Sequence, residues 1–508
     1  MSHWIAVPVV LPALTAAVLV LLGRRGIRLH RAVSVASAAL LVATSIGLWS
    51  VSAGGPQAYL VGGWPAPFGI VLVLDRLSAL MLLLAGVIGS AALLYSIAGW
   101  DSRGRHFHAL FHFQLLGING SFLTGDVFNL FVFFEVMLIA SYGLMLHGGG
   151  AWRLKAGFQY VAINLVASTI FLFAVGLMYG LTGTLNMADL AMKVGRLPAG
   201  DQALLSVSAV LLFSVFAVKA AVVPLHWWLP STYAAGPGPA IALFAMLTKV
   251  GAYAIVRVHS LIFGVDTPAI SSLLQQLLLP AAMLTLVLGA IGVLASRRML
   301  DLAAYSIVAS MGTLLIAAVS LDARQLAAAL YYLLHSTLTG AALFLLVDVL
   351  AAVRGPATDR LVPSVAMPRN ALLAGLFLLG AMAMVGLPPL SGFVGKVVIL
   401  DSLRGTSAAM FAWAVILGTS LLLLAGYARA GSTLFWKTNS AGGAAPSLRT
   451  VPLRAVPLVV IACLLGSTVV LSAFGGPVMT AMDVTAREVM APENYIRAVL
   501  QPAILAEH

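Results

Sequence analysis

The sequence predicts an all-α fold that crosses a membrane about fourteen times. Of the 508 residues, 61% are hydrophobic and only 9% are charged; an ordinary soluble domain has about 25% charged residues. The apolar residues also form runs of the length, about 20 residues, that a membrane-spanning helix needs. This composition leaves no room for a soluble catalytic domain. The net charge of +12 is spread singly through loops and does not indicate nucleic-acid binding.

Fourteen apolar runs are separated by charged residues or by Gly and Pro. The expected spans are 4–22, 32–50, 70–98, 107–124, 127–146, 158–181, 204–224, 237–258, 272–294, 301–319, 325–350, 371–400, 407–434 and 455–474. The first run is interpreted as a span and not a signal peptide, because its arginines follow the hydrophobic stretch. The segment after Phe474 has turn residues and charges, which favour a helix at the membrane surface.

The distribution of Lys and Arg predicts the direction of the chain. The first loop carries Arg24, Arg25, Arg28 and Arg31, which places that loop in the cytoplasm and the N-terminus outside. If the spans alternate, 17 Lys and Arg lie in cytoplasmic loops and 8 on the outer side. Both termini are therefore expected on the outer side.

Three lysines lie inside hydrophobic spans: Lys219, Lys249 and Lys396. Glu135 lies near the middle of span five and His335 in span eleven. A charge at the bilayer centre costs about 2.5 kcal/mol or more, so such groups usually mark ion or proton pathways. Glu135 and Lys219 are the natural pair. Static ion pairs, a snorkelling Lys396 and a structural His335 are the alternatives.

Spans seven and twelve each contain proline together with a buried lysine. Pro224 follows Lys219, and Pro388 and Pro389 precede Lys396. Corresponding broken helices in two halves of a chain point to the ion site of a transporter with inverted repeats. His226 follows the first break and is a candidate for proton uptake, with an interfacial anchor as the alternative.

The cysteine count limits cofactor chemistry. Cys463 is alone in an apolar run, which excludes a disulfide framework, a Cys-based zinc site and an iron–sulfur cluster in this chain. No metal site and no cofactor are expected.

Three stretches carry a family resemblance: NLFVFFEVMLIASYGLM, VKAAVVPLHWWLPSTYAAGPGPAIALFAMLTKVGAYAIVR and LPPLSGFVGKVVIL. They resemble the antiporter-like subunits shared by complex I and Mrp-type cation/proton antiporters, and most of all the D subunit of the Mrp type. The Lys at 396 and the turn WLPSTYAAGPGPA favour the Mrp type. The resemblance implies an N-terminal three-helix segment (1–106), two inverted five-helix repeats (107–258 and 272–434), and a last helix with a C-terminal segment (435–508).

The resemblance also implies site residues. Glu135 and Lys219 would be a modulating pair, Lys249 and His335 relay positions, and Lys396 the terminal lysine of the second half-channel. Gly340 stands where many relatives have a further lysine, so the relay is expected to run through His335 and water.

The function implied is proton translocation in a multisubunit antiporter of Na⁺ (or K⁺, Li⁺) and H⁺ in the bacterial plasma membrane. The partners would be subunits A to C and E to G together with membrane lipid, and the chain would be a secondary transporter subunit, not an enzyme. Two alternatives are open. One is a proton-pumping membrane-arm subunit of a complex I-like quinone oxidoreductase or membrane-bound hydrogenase, and the other is a scaffold whose buried charges only hold helices together.

Overall fold

A computed structural model of the chain describes residues 2–23, 25–264, 267–364, 367–437 and 453–500. These residues form nineteen α-helices and one two-stranded antiparallel hairpin. The strands are β1 (Gln57–Leu60) and β2 (Val71–Leu74). The helices are α1 (Val7–Leu22), α2 (Ile27–Val51), α3 (Arg76–Ser96), α4 (Phe107–Leu123), α5 (Val127–Met145), α6 (Ala151–Thr182), α7 (Met187–Val194), α8 (Gln202–Lys219), α9 (Trp228–Tyr233), α10 (Gly238–Leu261), α11 (Pro268–Ala295), α12 (Met299–Ala318), α13 (Ala323–Val353), α14 (Asn370–Val385), α15 (Ser391–Ser402), α16 (Ala409–Gly431), α17 (Ala455–Ala473), α18 (Gly475–Val489) and α19 (Pro492–Leu500).

The chain is a multi-pass membrane protein. Twelve helical segments in the described part are long and apolar enough to cross a membrane. The predicted fourth span corresponds to α4, which has 17 residues, and the predicted twelfth span is divided between α14 and α15, with 16 and 12 residues. The all-α prediction is confirmed by this architecture, whereas the exact count of fourteen spans stays a prediction.

The hairpin replaces the start of the predicted third span. The sequence predicts a helix from residue 70, but Val71–Leu74 is a buried strand paired with Gln57–Leu60. The helix begins only at Arg76, because the Asp75 side chain accepts a hydrogen bond from Ser78 N (2.8 Å) and so caps it. The short helix Ser2–Ala6 and α19 contact this hairpin. We call this end of the molecule the hairpin face.

The C-terminal helices α18 and α19 are held at the hairpin face by charged groups. Asp75 forms a buried ion pair with Arg257 (2.6 Å), at the end of α10. Glu488 of α18 accepts a hydrogen bond from Arg76 N (3.0 Å), and the ring of Tyr495 from α19 lies 5.2 Å from the Arg257 guanidinium. The helix expected after Phe474 is therefore two helices.

Arg24 and Arg449, which contribute to the predicted charge bias, lie outside the described residues.

Helix α10 lies at the centre of the bundle. All of its residues are buried, and it packs against α3, α8 and α13. Gly251 permits the close approach to α8, since a Cβ at this position would lie 2.6 Å from Ala220 N. In α6, α11 and α16 only a minority of the residues is buried, and these helices lie at the outer surface. This arrangement places Lys249 in the centre of the protein.

Two breaks interrupt the bundle at corresponding places. Helix α8 ends at Lys219, and α9 begins at Trp228, with Pro224 between them. The Trp228 indole donates to Val218 O (2.9 Å), and Val223 N donates to Thr285 Oγ1 (2.9 Å). Backbone groups released by the break therefore keep partners, as a low-dielectric interior requires. The second break lies between α14 and α15 and contains Pro388 and Pro389.

Candidate functional site

Glu135 and Lys219 are connected through α6. The Ser168 hydroxyl donates to Glu135 Oε1 and also lies 2.9 Å from the main-chain carbonyl oxygen of Asn164. Lys219 Nζ donates to Asn164 Oδ1 (2.7 Å). Both ionisable side chains lie in the described part of the chain, and no ion pair within 4 Å joins them; Glu135 acts on Lys219 electrostatically from a longer distance. Where the sequence predicts a direct pair, the structure inserts two neutral polar side chains.

The amide of Asn164 is oriented for this role. Its nitrogen donates to Tyr160 O (2.8 Å) in the same helix, which leaves the oxygen free to accept from Lys219. Lys219 is 4% exposed and is the last residue of α8. A cation is favoured there because the C-terminal end of a helix carries partial negative charge. A hydrogen-bonded Asn and the helix end together stabilise the ammonium.

Lys249 lies at the middle of α10 and is 0% exposed. Within the described part of the chain its amine has no hydrogen-bond partner. A buried ammonium without partners is strongly unfavourable. The protonated form therefore requires water at this point, and the neutral amine is a ready proton acceptor.

His335 lies between two of the lysines. It is 0% exposed, and both Lys249 and Lys396 act on it electrostatically. Its Nδ1 lies 2.9 Å from the Ser391 hydroxyl at the start of α15, and 3.4 Å from Thr339 Oγ1. The imidazole thus connects α13 with the second helix break, and it lies within electrostatic range of Lys249 on α10.

Lys396 binds the carbonyl group that the second break sets free. Its Nζ donates to Val385 O (2.7 Å), the last residue of α14, and to the Ser420 hydroxyl on α16 (2.8 Å). In a continuous helix the residue four positions after Val385 would bond this carbonyl, but that residue is Pro389, which has no N–H. Asp401, which follows Lys396 by five residues and lies near the hairpin face, forms an ion pair with Arg324 rather than with Lys396. The amine of Lys396 therefore points to the break and does not snorkel.

The remaining predicted positions are His226, Pro224 and Gly340. His226 is half-buried between α8 and α9, beside the exposed Trp227, and Pro224 is exposed. Gly340 is buried on α13, and a Cβ there would lie 2.4 Å from Ile307 Cδ1. Ile307 thus fills the space next to Gly340, where a longer side chain would have to displace it.

Sequence reasoning missed the neutral members of the site: Asn164, Ser168, Ser391 and Ser420. Asn164 and Ser168 are four residues apart in an apolar span and therefore share one helix face. This spacing was the available signal. The two serines that contact His335 and Lys396 have no such pattern, because they come from separate helices.

Residues 124–422 match the family described as NADH:quinone oxidoreductase/Mrp antiporter, TM. The chain is 43% identical to the D subunit of a probable K(+)/H(+) antiporter of Rhizobium meliloti (strain 1021), over 98% of each chain. It is 36% identical to the D subunit of a Na(+)/H(+) antiporter of Bacillus subtilis (strain 168), over 99% of this chain and 100% of the relative.

Solved structures show the same fold. A chain of the Mrp complex from Dietzia sp. DQ12-45-1b has a TM-score of 0.87 and 29% identity, with 98% of this chain and 100% of that chain covered. A chain of the membrane-bound sulfane sulfur reductase, an archaeal respiratory membrane complex, has a TM-score of 0.88 and 25% identity, with 98% and 99% covered. A chain of respiratory complex I from Thermus thermophilus has a TM-score of 0.78 and 26% identity, with 96% and 99% covered.

Proposed function

Because the chain belongs to the NADH:quinone oxidoreductase/Mrp antiporter family, we propose that it is the D subunit of a multisubunit antiporter that exchanges a monovalent cation (Na⁺, K⁺ or Li⁺) for H⁺. It is a secondary transporter subunit and not an enzyme. Its partners are the other hydrophobic subunits of the assembly. The relatives that are antiporter D subunits match over nearly their full length and support this assignment.

One observation carries the proposal: five helices of a membrane protein each contribute one ionisable group to its interior, and four of these groups are buried while Glu135 is partly buried. In chain order they are Glu135, Lys219, Lys249, His335 and Lys396. A proton passes between the Glu135 carboxylate and the Lys219 amine by way of Ser168 and intervening water. Lys249, His335 and Lys396 then exchange the proton by way of intervening water. Because neighbouring positive charges disfavour each other, protonation of one member promotes proton release from the next.

The two breaks are the proposed half-channels. Each ends one helix near a buried lysine, and each leaves carbonyl groups that side chains have to satisfy. This correspondence supports two inverted repeats at 107–258 and 272–434, preceded by 1–106 and followed by 435–508. His226, at the edge of the first break, is the proposed site of proton uptake.

The proposed orientation places the hairpin face outside the bacterial plasma membrane, with both termini on that side. The excess of Lys and Arg in the loops at the opposite face supports this direction.

A redox-driven relative is the second candidate. The TM-scores of 0.88 and 0.78 with chains of an archaeal respiratory complex and of complex I favour a membrane-arm subunit of such an enzyme as the alternative. Subunits that co-purify with the chain distinguish the two: small hydrophobic antiporter subunits support the first proposal, whereas flavin and iron–sulfur proteins support the second.

The test uses everted membrane vesicles that contain the complete complex. We expect Glu135→Ala and Lys219→Ala to abolish Na⁺- or K⁺-dependent proton movement, followed by the fluorescence of a pH-sensitive dye. Lys193→Ala is the matched control, since this lysine lies on the exposed part of α7. Activity is divided by the amount of assembled complex. Retained activity in both variants would refute the proposal, and reduced assembly with normal activity per complex would indicate a scaffold.

A further inference from the structure

A cavity of about 480 Å³ is lined by the turn between α11 and α12, the loop after α13 and the end of α16, and none of the five ionisable groups described above lines it. Helix α10 ends at the hairpin face, where Arg257 pairs with Asp75. Helix α11 crosses back, so the turn between α11 and α12 lies at the opposite face. The four basic residues that line the cavity are Arg297, Arg298, Arg360 and Arg429.

Backbone pairing holds these arginines around the cavity. The turn before α12 and the loop after α13 form an antiparallel bridge at Arg298 and Arg360. Leu361 N donates to Arg297 O (2.9 Å), and Met299 N donates to Asp359 O (2.7 Å). Arg429, in the last turn of α16, donates to Ser296 O (2.6 Å). Three separate segments of the chain are thereby fixed with their basic side chains facing one space.

The charge of this cavity is incompletely balanced. Arg298 pairs with Asp359 (2.9 Å), and Asp301 lies near both of them. Within the described residues, Arg297, Arg360 and Arg429 form no ion pair. Four guanidinium groups therefore face two carboxylates. A preference for basic loops on one side of the membrane explains single arginines, but it does not require that arginines from distant segments converge.

The surface next to the cavity is apolar. Helices α11 and α16 pack closely, since a Cβ at Gly426 would lie 2.8 Å from Val293 Cγ1. Above the cavity these helices expose large hydrophobic side chains. They are Leu288 and Ile291 on α11, and Leu421 and Leu424 on α16. A ligand with a phosphate group and hydrocarbon chains would match both the basic cavity and the apolar surface beside it.

We propose that this cavity binds the headgroup of an anionic phospholipid, with its acyl chains along α11 and α16. Guanidinium groups bind phosphate oxygens in bidentate geometry, and basic pockets between helices at the cytoplasmic side suit such headgroups. The lipid would join α11, α12 and α16 and neutralise the arginines. The leaflet follows from the orientation proposed above, but the binding itself does not depend on proton translocation.

The experiment measures phosphatidylglycerol bound to the purified complex. The test variant is Arg297→Gln/Arg360→Gln/Arg429→Gln. The matched control is Arg25→Gln/Arg105→Gln/Arg369→Gln, which removes the same charge from exposed residues outside the cavity. After delipidation, the complex is titrated with phosphatidylglycerol, phosphatidylcholine or inorganic phosphate. Bound lipid is quantified by mass spectrometry, and Tm is recorded.

We expect wild type and control to bind phosphatidylglycerol with a rise in Tm, and the test variant to bind it at least tenfold more weakly. Phosphatidylcholine and inorganic phosphate should bind weakly to all three. Equal phosphatidylglycerol binding by the test variant and the control would overturn the proposal. The proposal would also be overturned if inorganic phosphate bound as tightly as the lipid. It would likewise be overturned if a crosslinker at position 360 captured a partner subunit in place of lipid. Failure of the transport test with Glu135→Ala leaves this result unaffected.

Discussion

Asn164 provides the sharpest test of how Glu135 influences Lys219. Asn164→Leu keeps the approximate side-chain volume but removes the oxygen that accepts from Lys219 Nζ at 2.7 Å. A hydrogen bond to a charged group contributes about 1.5–3 kcal/mol. Because about 1.4 kcal/mol corresponds to a factor of ten in rate, we expect proton movement through the complex to fall about ten- to a hundredfold.

The assay compares proton movement in vesicles at equal amounts of assembled complex. Thr169→Val is the matched control: Thr169 is also on α6, but its hydroxyl lies on the exposed side and, among the described residues, bonds only Leu165 O (3.0 Å). Ser168→Ala, which removes the contact with Glu135, should reduce the rate in the same direction. Wild-type rates in Asn164→Leu would show that Asn164 does not transmit the effect of Glu135 to Lys219.

Two further predictions concern the second break and the loop before α4. In Gly392→Ala the new Cβ would lie 2.1 Å from Ala383 O and 2.8 Å from His335 Nε2, so α15 has to shift and proton movement in vesicles should be lost. Gly375→Ala is the control and should be active, because among the described residues no atom outside the adjoining backbone lies within 4 Å of the new Cβ. Equal activity of the two variants would contradict the reasoning. Burial alone would raise the pKa of Asp101, but hydrogen bonds from His108 and Arg31 outweigh burial and lower the pKa to about 2. This depressed pKa stabilises the folded protein above pH 4, and the stabilisation is lost as the pH falls toward 2. The Tm of Asp101→Asn should therefore lie below that of wild type by a constant amount from pH 5 to 8, and the difference should shrink below about pH 4. A difference that grows in acid would refute this.

Much of the candidate site could be predicted because a membrane interior makes ionisable groups rare. Glu135, Lys219 and Lys249 stand out in apolar runs, and each is found buried or partly buried within a helix. The hairpin could not be predicted in the same way. Val71–Leu74 is as apolar as the span that follows it, and hydropathy alone does not separate a buried strand from the first turn of a helix.

The sequence by itself determined the class of the protein, the approximate positions of its spans and the ionisable groups in them, because charge and hydrophobicity are properties of each residue. Tertiary structure alone decided which groups meet. Asn164 reaches Lys219 only because α6 and α8 pack side by side, and Arg297 approaches Arg360 only because two loops pair. Such contacts depend on the rotation and register of neighbouring helices, which local sequence patterns do not specify.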